Sequence, residues 1–497
     1  MVNELTVIVL AAGAGTRMKS KTPKVLHEVA GRSMVGHVLG VVRALEPSRV
    51  VAVVGHQREL VAAHVAELDP DAVVAVQEEQ LGTGHAVRVA VEALGEVSGT
   101  VLVAYADTPL LRVESLRDLL AGHTAAGHAA TILSGVVDDP FGYGRIVRGG
   151  DGGVSAIVEE NDGDEATRRI TEINSGIIAF DAAFLADVLP RLTDDNAKRE
   201  FYLTDTVGLA RRDGLTVGAV VVADSSEIEG ANDREQLAAI GRELNRRVLS
   251  RWMLDGVTIV DPATTWIDAD AELAADVTLL PGVQLLGATK VDQDAVIGPD
   301  TTLKDCEIGA GARVVRSHAN LAAVGPGAEV GPFSYLRPGT VLGKGGKIGG
   351  FVETKNASIG DGAKVPHLSY VGDAEIGEGT NIGAGTIFAN YDGVNKHRTV
   401  VGRHAKTGSN NTFVAPVTIG DGASTGGGTV VRGEVPAGAL AVSAGPLRII
   451  EGWALAKRPG TPQAAAAETA GERSSSHAAT SAGDPSVGES SPGATQS

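Results

Sequence analysis

The sequence is poor in cysteine, in aromatic residues and in long apolar runs. Its single cysteine, Cys306, cannot form an intrachain disulfide, so we expect a cytoplasmic protein in a reducing compartment. Aromatic residues make up 3% of the chain and hydrophobic residues 43%, which predicts cores of valine, alanine, leucine and isoleucine. No run approaches the roughly twenty apolar residues of a membrane helix. Acidic Glu4 and the lack of a basic start predict an N-terminal strand rather than a signal peptide, and we expect no membrane association.

Basic residues are also scarce relative to acidic ones. The chain has 43 lysines and arginines against 61 aspartates and glutamates, a formal net charge of −18. This balance argues against general nucleic-acid binding, so a phosphate ligand would have to be held by local basic residues and backbone amides. With 497 residues, the chain should fold into more than one domain.

Glycine, in contrast, is abundant, and in the C-terminal half it follows aliphatic residues that recur every six positions. The clearest stretch is IGEGTNIGAGTI, residues 376–387. A six-residue period fits neither a helix nor a strand; it is typical of a hexapeptide solenoid, in which three hexapeptides form one triangular coil. We therefore predict a left-handed parallel β-helix over residues 256–454, stabilised by the stacking of its coils. A generic glycine-rich β domain would not keep this phase over several repeats.

The N-terminal part has the pattern of an α/β domain. The apolar run LTVIVL, residues 5–10, leads directly into a glycine-rich turn, as in a buried parallel strand that opens a doubly wound, Rossmann-like domain. We predict this domain over 1–233 and a linking helix over 234–255; residues 455–497 contain little apolar matter and are predicted to be a disordered tail. Further strands are predicted at 50–54, 73–76, 100–105, 129–137, 176–180 and 217–222, and helices at 34–45, 85–94 and 113–123.

The turn after the first strand carries the first candidate site. It reads LAAGAGTRM, residues 10–18, and is followed by Lys24; it is neither a Walker loop nor a G-x-G-x-x-G motif. Backbone amides at such a turn favour anionic oxygens, and Arg17 and Lys24 can neutralise a triphosphate. Asp107 closes a later strand, where a carboxylate suits Mg²⁺, although an Asp there is also a common cap. Asn232 has a similar alternative as the cap of the next helix.

These motifs together resemble the sugar-phosphate nucleotidylyltransferases. The resemblance implies that a sugar 1-phosphate attacks the α-phosphorus of UTP, with Arg17 and Lys24 as catalytic charges and Asp107 and Asn232 as Mg²⁺ ligands. Gln77 and the backbone of Gly82 and Thr83 would read the uracil. The nucleotide-sugar positions implied in full are Leu10, Ala11, Ala12, Gly13, Lys24, Gln77, Gly82, Thr83, Tyr105, Asp107, Gly144, Glu159, Asn174 and Asn232. Ala106 stands where that family commonly has glycine.

The solenoid carries a second candidate site. Arg337, Lys355, His367 and Tyr370 occur in this order, and the loop NYDG at 390–393 interrupts the six-residue period, as binding loops of solenoids often do. For His367 alone, a solvated wall position would be the simpler interpretation. The whole set resembles the bifunctional family that unites glucosamine-1-phosphate acetyltransferase and N-acetylglucosamine-1-phosphate uridylyltransferase, and in particular its actinobacterial members, which also carry a long tail.

This second resemblance implies a division of roles on the solenoid. His367 would be the general base, since imidazole titrates near neutrality; Arg337 and Lys355 would hold the sugar phosphate, and Tyr370 and Asn381 would orient the sugar. The implied acetyl-CoA positions are Ala384, Asn390, Tyr391, Ser409 and Gly427. Gly427 stands where many relatives have alanine. Ala444 stands where many have an arginine that contacts CoA, a charge that Arg432 or the pair 457–458 would have to supply.

The sequence therefore predicts a bifunctional enzyme that makes UDP-N-acetylglucosamine, a precursor of bacterial cell-wall polymers. The implied substrates are glucosamine 1-phosphate, acetyl-CoA and UTP, and the implied assembly is a homotrimer through the solenoids. One alternative is a nucleotidylyltransferase whose solenoid only regulates, as in ADP-glucose pyrophosphorylase; His367 and the NYDG loop argue against it. Another is a non-enzymatic scaffold like the subunits of eukaryotic initiation factor 2B, against which Arg17, Lys24 and Asp107 argue.

Overall fold

The computed structural model describes residues 4–443, 445 and 447–480. The chain divides into two compact units, of which the first ends at Val442 and the second begins at Ser443. The first unit contains an N-terminal α/β domain, a long helix and a β-helix.

The α/β domain alternates strands and helices over most of its length. Its strands are β1 (Leu5–Ala11), β2 (Glu28–Val29), β3 (Arg32–Ser33), β4 (Arg49–Val54), β5 (Val73–Val76), β6 (Thr100–Tyr105), β7 (Ala130–Val136), β8 (Arg145–Arg148), β9 (Val154–Val158), β10 (Glu172–Asp181) and β11 (Val217–Val221). Its helices are α1 (Met34–Arg43), α2 (Arg58–Leu68), α3 (Thr83–Leu94), α4 (Val113–Ala126), α5 (Glu165–Arg168), α6 (Ala182–Val188) and α7 (Asp205–Arg212). Short 3₁₀ turns lie at Thr16–Met18, Lys24–Leu26, Leu189–Arg191 and Ser225–Ile228.

The main sheet is mixed rather than wholly parallel. Its order is β11-β7-β10-β6-β1-β4-β5, in which β1, β4, β5 and β6 are parallel and β10 runs antiparallel to both neighbours. The hairpin β8–β9 pairs with the start of β10. The buried apolar runs predicted the parallel strands, whereas nothing in the periodicity of residues 172–181 indicates the direction of β10. The carboxyl ends of β1, β5 and β6 meet at one edge, where ligands bind in such folds.

Helix α8 (Arg234–Leu254) connects this domain to the β-helix. The Asp233 side chain caps it by accepting hydrogen bonds from the Glu235 and Gln236 amides. Buried Asn245 joins α8 to the first coil, donating to the Thr265 carbonyl at 2.8 Å and accepting from the Ile267 amide at 3.1 Å. Arg32 forms an ion pair with Asp270, a second link between the domain and the first coil.

The β-helix consists of short parallel strands stacked coil on coil. Thr278 pairs with Val296, 18 positions on, and Lys290 pairs with Glu307, 17 positions on. Each coil therefore contains about three hexapeptides. Its strands are β12 (Thr258–Ile259), β13 (Trp266–Ile267), β14 (Glu272–Leu273), β15 (Thr278–Leu279), β16 (Gln284–Leu286), β17 (Lys290–Val291), β18 (Val296–Ile297), β19 (Thr302–Lys304), β20 (Glu307–Ile308), β21 (Arg313–Val314), β22 (His318–Asn320), β23 (Ala322–Val324), β24 (Glu329–Val330), β25 (Tyr335–Leu336), β26 (Thr340–Leu342), β27 (Lys347–Gly350), β28 (Glu353–Ile359), β29 (Lys364–His367), β30 (Tyr370–Ile376), β31 (Ile387–Ala389), β32 (Thr399–Val401), β33 (Thr412–Ile419), β34 (Ser424–Thr425), β35 (Val430–Val435) and β36 (Leu440–Ala441).

The interior of the β-helix is a continuous column of small aliphatic side chains. Val365, Val371, Ile376 and Ile382, members of the six-residue repeat, are all fully or almost fully buried. The fold is therefore the parallel β-helix that the hexapeptide pattern predicts, the architecture of left-handed hexapeptide solenoids. Tyr370 pairs with Ile387, 17 positions on, but Ile376 pairs with Val401, 25 positions on. The NYDG loop thus inserts eight residues into one coil.

The second unit differs from the sequence-based prediction. The last strand of the β-helix ends at Ala441, earlier than the predicted boundary at 454, and residues 453–457 and 462–480 form helices α9 (Trp453–Lys457) and α10 (Pro462–Thr480) instead of a disordered tail. Leu447, Ile449 and Ile450, which lie inside the predicted solenoid range, are exposed. Alanine, the strongest helix former, fills much of 462–480 and offsets the lack of apolar burial. Residues 481–497 lie outside the described part of the chain. Among the described residues, no helix is long and apolar enough to cross a membrane.

Candidate active sites

A cavity of about 530 Å³ lies at the carboxyl ends of the parallel strands of the α/β domain. Twelve residues that the sequence assigns to nucleotide binding or catalysis line it together. They are Leu10, Ala11, Ala12, Gly13, Arg17, Lys24, Gln77, Gly82, Thr83, Tyr105, Asp107 and Asn232. These residues are up to 222 positions apart in the sequence, so it is the sheet topology that gathers them at one edge.

Lys24, Asp107 and Asn232 meet inside this cavity. The Lys24 ammonium donates to the Asn232 side-chain oxygen at 2.8 Å and forms an ion pair with Asp107. The two predicted metal ligands therefore converge on one cationic group. A carboxylate and an amide oxygen that hold one cation are a suitable donor set for Mg²⁺, which takes few protein oxygens and completes its shell with water and phosphate. The described residues contain no cluster of three or more His, Cys, Asp and Glu side chains, which fits this type of site better than a protein-enclosed metal.

The segment before and within the first turn of α8 holds this centre in place. The Ala231 amide donates to the Asp107 carbonyl at 3.2 Å, and the Arg234 side chain donates to the Met18 carbonyl at 3.3 Å, in the turn that contains Arg17. The Asn232 amide itself donates to the Gln236 side chain at 2.7 Å. Asn232 is thus oriented by the start of the linking helix, and Asp233 rather than Asn232 is its cap.

The predicted uracil-reading group is preorganised by hydrogen bonds. Buried Gln77 donates through Nε2 to the Gly82 carbonyl at 3.0 Å and lies 3.0 Å from Nδ1 of His85. With its nitrogen engaged in this way, the amide has a fixed orientation. The Gln80 side chain donates to the Ala12 carbonyl at 2.9 Å and ties this loop to the glycine-rich turn.

Gly144, Glu159 and Asn174 are not part of the cavity lining and form a neighbouring group. The Asn174 amide donates to the Gly144 carbonyl at 2.8 Å, and Thr204 donates to the Glu159 carboxylate at 3.3 Å. Burial raises the pKa of Glu159, with the nearby Lys198 ammonium acting in the opposite direction. Burial, together with the charges of Glu159 and Asp107, raises the pKa of Tyr105. Tyr105 lines the cavity and is near Glu159, so it connects this group to the cavity.

Two charged lining residues, Lys198 and Glu200, were missed by the sequence analysis. They lie between α6 and α7 in the stretch NAKREFYLTD, which shows neither helical nor strand periodicity. The sequence does not show which surface this loop faces, so a charged pair within it cannot be assigned to a site from the sequence.

On the β-helix, the predicted sugar-phosphate residues lie side by side. Leu336 pairs with Thr354, so Arg337 and Lys355 follow at adjacent positions of neighbouring coils. Arg337 donates to Glu353 at 2.9 Å, and the Glu353 carboxylate raises the pKa of Arg337. The Lys396 ammonium, from the inserted loop, lowers the pKa of Lys355. Two lysines and an arginine therefore share one patch of the wall.

Tyr370 and Asn390 lie over the next coil. A Cβ atom at Gly372 would lie 2.4 Å from the Tyr370 hydroxyl and 2.8 Å from Nδ2 of Asn390, so glycine leaves the room that these two side chains occupy. Asn390 also donates to Asp373, whose other oxygen accepts from Asn356 at 2.8 Å. Asp373, Asn356 and Glu353 are partners that the sequence analysis did not assign.

His367 and the predicted acetyl-CoA residues Ala384, Ser409 and Gly427 follow one another coil by coil. The Gly385 amide donates to the His367 carbonyl at 3.2 Å, the Asn410 amide to the Ala384 carbonyl at 2.7 Å, and the Gly428 amide to the Ser409 carbonyl at 2.8 Å. A Cβ at Gly427 would meet its nearest atom, the Ser409 carbonyl oxygen, at 3.6 Å, so alanine would fit there too.

Asn381 belongs to the same wall. It bridges Lys364, in the strand of His367, and Lys406 on the following coil. The side chains of His367 and Asn381 are both exposed to solvent.

The inserted loop exposes Tyr391, which pairs with Lys396 in an antiparallel bridge below the tip of the loop. Asp392 accepts hydrogen bonds from the Val394 amide at 2.8 Å, the Asn395 amide at 2.7 Å and the His397 side chain at 2.7 Å. Hydrogen bonds from the Asn395 amide and from His397 are the main causes that lower the pKa of Asp392 to about 2. Tyr391 donates to the Gly393 carbonyl at 2.6 Å, so the loop is folded on itself. Ala444 lies outside the described residues.

Comparison with known proteins agrees with this two-part layout. The family described as MobA-like NTP transferase domain matches residues 7–172. The bifunctional protein GlmU of Pseudarthrobacter chlorophenolicus is 59% identical over 473 residues, 95% of this chain and 96% of that protein. The GlmU of Streptomyces avermitilis is 58% identical over 469 residues, 94% of this chain and 97% of that protein, and the GlmU of Mycobacterium bovis is 55% identical over 475 residues, 94% and 96%. Because these relatives match almost end to end, the chain belongs to the GlmU family of bifunctional transferases and carries an NTP-transferase domain at its N-terminus.

Proposed function

We propose that this protein makes UDP-N-acetylglucosamine in two steps at two separate sites. The β-helix transfers the acetyl group of acetyl-CoA to glucosamine 1-phosphate, and the α/β domain then transfers UMP from UTP to N-acetylglucosamine 1-phosphate, with release of pyrophosphate. The observation that carries the proposal is the meeting of Lys24, Asp107 and Asn232 in a cavity lined by the other predicted nucleotide residues.

The uridylyl step needs positioning and charge neutralisation rather than a protein nucleophile. A phosphate oxygen of the sugar 1-phosphate forms a bond to the α-phosphorus of UTP while the bond to the β-phosphate breaks. Arg17 and Lys24 neutralise the phosphates, and Gln77 and the Gly82–Thr83 backbone hold the uracil. Asp107 and Asn232 would hold Mg²⁺, which when bound supplies positive charge to the phosphates.

The acetyl step needs a base and two anion sites. The C2 amine of glucosamine 1-phosphate forms a bond to the thioester carbon, the C–S bond breaks, and His367 takes the proton that the amine loses. Arg337 and Lys355 bind the sugar phosphate, and Tyr370 and Asn381 orient the ring. Asn390, Tyr391 and the column Ala384, Ser409 and Gly427 bind acetyl-CoA.

The proposed assembly is a cytoplasmic homotrimer joined through the β-helices. Three bulky apolar residues, Phe333, Phe351 and Leu368, are exposed along one corner of the β-helix beside His367. An exposed apolar row of this kind suits burial against another copy of the chain.

One omission experiment tests both activities. The purified protein is incubated with glucosamine 1-phosphate, acetyl-CoA, UTP and MgCl₂, and each component is left out in turn. We expect UDP-N-acetylglucosamine only in the complete mixture, free CoA whenever the sugar phosphate and acetyl-CoA are both present, and pyrophosphate only with UTP and Mg²⁺. Absence of free CoA would remove the acetyltransferase half of the proposal, and absence of pyrophosphate the other half.

A further inference from the structure

The loop between α6 and α7 forms one wall of the nucleotide cavity although no motif marks it. Within this loop, Lys198 and Glu200 line the cavity, and the neighbouring Phe201 receives the Arg88 guanidinium over its ring at 5.3 Å from the centroid. Arg17, Lys24 and Lys198 are the basic residues among the lining residues. Lys198 is therefore a candidate for contact with one of the anionic substrates.

Backbone hydrogen bonds fix this wall against the loop proposed to read the uracil. The Phe201 amide donates to the Leu81 carbonyl and the Gly84 amide donates to the Phe201 carbonyl, each at 2.8 Å. Gly82 has a φ of +105°, and a Cβ there would lie 2.7 Å from the Phe201 carbonyl oxygen. Only glycine permits so close an approach, so the position of the wall is set by the nucleotide loop itself.

A tight turn presents Lys198 from this wall. The Asn196 side-chain oxygen accepts hydrogen bonds from the amides of Lys198 and Glu200, both at 3.2 Å. The Lys198 side chain is exposed, and its charge acts on Glu159, in the group next to the cavity. Lys198 therefore lines the cavity and is also near enough to Glu159, a proposed sugar-binding residue, for its charge to act there.

The negative charges of UTP and the sugar 1-phosphate explain why a cation at the position of Lys198 would be useful. UTP and a sugar 1-phosphate are both polyanions, and their approach is opposed by repulsion unless each has its own cations. The uridylyl step proposed above assigns Arg17 and Lys24 to the phosphates of UTP, so Lys198 is the remaining basic residue of the lining for the second anion. We propose that Lys198 binds the phosphate of the incoming sugar 1-phosphate as a substrate-contacting residue, a role that rests on the uridylyl function proposed above.

The test compares Lys198→Met with Arg199→Met. Arg199 is the next residue, carries the same charge, is exposed and does not line the cavity, so it controls for loss of charge and for damage to the loop. We expect Lys198→Met to raise the KM for N-acetylglucosamine 1-phosphate at least about tenfold, the range of a lost charge-assisted hydrogen bond. The KM for UTP should change less than about twofold, acetyl transfer should be unchanged, and Lys198→Arg should retain most of the affinity.

Ionic strength gives a readout that a merely structural role would not move. The KM of the unmodified enzyme for the sugar phosphate should rise with KCl more steeply than that of Lys198→Met, since one screened contact is gone. Equal changes in the two KM values, an equal effect of Arg199→Met, or an unchanged KM in Lys198→Met would each overturn the assignment. If the unmodified enzyme makes no UDP-N-acetylglucosamine, the proposed function fails, and this role fails with it.

Discussion

At the scale of single residues, Asp107 contributes the only carboxylate to the centre formed with Lys24 and Asn232. Asp107→Asn keeps the shape but removes the charge that a divalent cation requires. We expect the kcat of uridylyl transfer to fall by a factor on the order of 10² or more, as for loss of one electrostatic contact in a preorganised site. Acetyl transfer, followed as release of free CoA, should remain at the level of the unmodified enzyme.

Asp118→Asn is the matched control for this substitution, because Asp118 is exposed on α4. It should leave both activities unchanged. Metal-dependent pyrophosphate release that persists in Asp107→Asn would contradict the assignment of Asp107 as a metal ligand.

Lys355 and Lys396 allow a prediction about pH. The Lys396 ammonium lowers the pKa of Lys355, so Lys355 loses its charge at a lower pH than an ordinary lysine. The KM for glucosamine 1-phosphate should therefore rise on the alkaline side earlier than a lone lysine would allow. In Lys396→Gln the pKa of Lys355 rises, so this limb should move to higher pH, while the KM at neutral pH should increase because one cation is lost.

The measurement is the KM of acetyl transfer between neutral and alkaline pH, with exposed Lys344→Gln as the control. A limb that stays in place in Lys396→Gln, or one that moves equally in Lys344→Gln, would show that the two lysines do not interact.

At the scale of elements, the inserted loop depends on Asp392. Its carboxyl pKa of about 2 lies below the ordinary value because the folded loop hydrogen-bonds the charged form. The stabilisation is therefore fully present above the ordinary carboxyl range and is lost as the pH falls through about 2. The loop should consequently keep its shape at any pH at which the enzyme works.

Asp392→Ala removes three acceptor contacts from this loop. Because Asn390 and Tyr391 belong to the same loop, the KM for acetyl-CoA should rise by about tenfold when the hydrogen bonds that hold the loop are lost. Uridylyl transfer should not change. Asp292→Ala, at an exposed position elsewhere on the β-helix, is the control. An unchanged KM for acetyl-CoA in Asp392→Ala would show that the loop does not contribute to acetyl-CoA binding.

The elements also show what the sequence was able to predict. The β-helix was predictable because the same pattern recurs in coil after coil: an aliphatic residue stands at every sixth position and is buried in the interior. The parallel strands β1, β4 and β6 were predictable because strands buried on both faces read as continuous apolar runs. The edge strand β5 exposes Val73 and Val76 and was predictable from its β-branched residues. The direction of β10 and the hairpin β8–β9 were not, since strand direction depends on distant pairing partners rather than on local periodicity.

The same distinction applies to the candidate sites. Arg17, Lys24 and Asp107 sit in or next to recognisable motifs, and the structure brings them together in one cavity. Lys198, Glu353 and Asp373 belong to no motif, and their proximity to the candidate sites follows only from how loops and coils stack. Helix α10 was not predictable from apolar periodicity, because its sequence has few large apolar residues and its helix propensity comes from alanine.

At the scale of the whole molecule, helix α8 joins the two catalytic parts. At its start, Asn232 contacts Lys24 and Arg234 contacts the turn of Arg17, while Asn245 further along bonds to the first coil. Asn245→Ala leaves the Thr265 carbonyl and the Ile267 amide without these partners. The free energy of unfolding should fall by about 1–3 kcal/mol, the cost of leaving buried polar groups unsatisfied.

Denaturant unfolding of the full chain measures this loss, with Asn320→Ala as a control, since Asn320 lies on the β-helix away from α8. Unchanged stability of Asn245→Ala would mean that water replaces both contacts and that the helix is held by its apolar face alone.

The proposed homotrimer would bury the exposed row Phe333, Phe351 and Leu368. All three adopt left-handed backbone conformations, with φ of 60°, 58° and 50°, and the rings of Phe333 and Phe351 stack 5.3 Å apart. Bulky apolar residues at such positions expose apolar area and strain the backbone. Burial against another copy of the chain would offset this unfavourable free energy. Phe351, 62% exposed, is therefore the residue at which a charge should oppose the proposed trimer most directly.

If the proposed trimer forms through this row, Phe351→Glu should give monomers in analytical ultracentrifugation, because burial of a charged carboxylate is costly. Acetyl transfer should fall with it, since Leu368, at the end of the row, follows His367 directly in the chain, whereas uridylyl transfer in the α/β domain should persist. Leu60→Glu is the matched control: Leu60 is 56% exposed on α2, far from the β-helix in the sequence, and should leave the mass unchanged. A trimer that survives Phe351→Glu would require the copies to meet along another side of the β-helix.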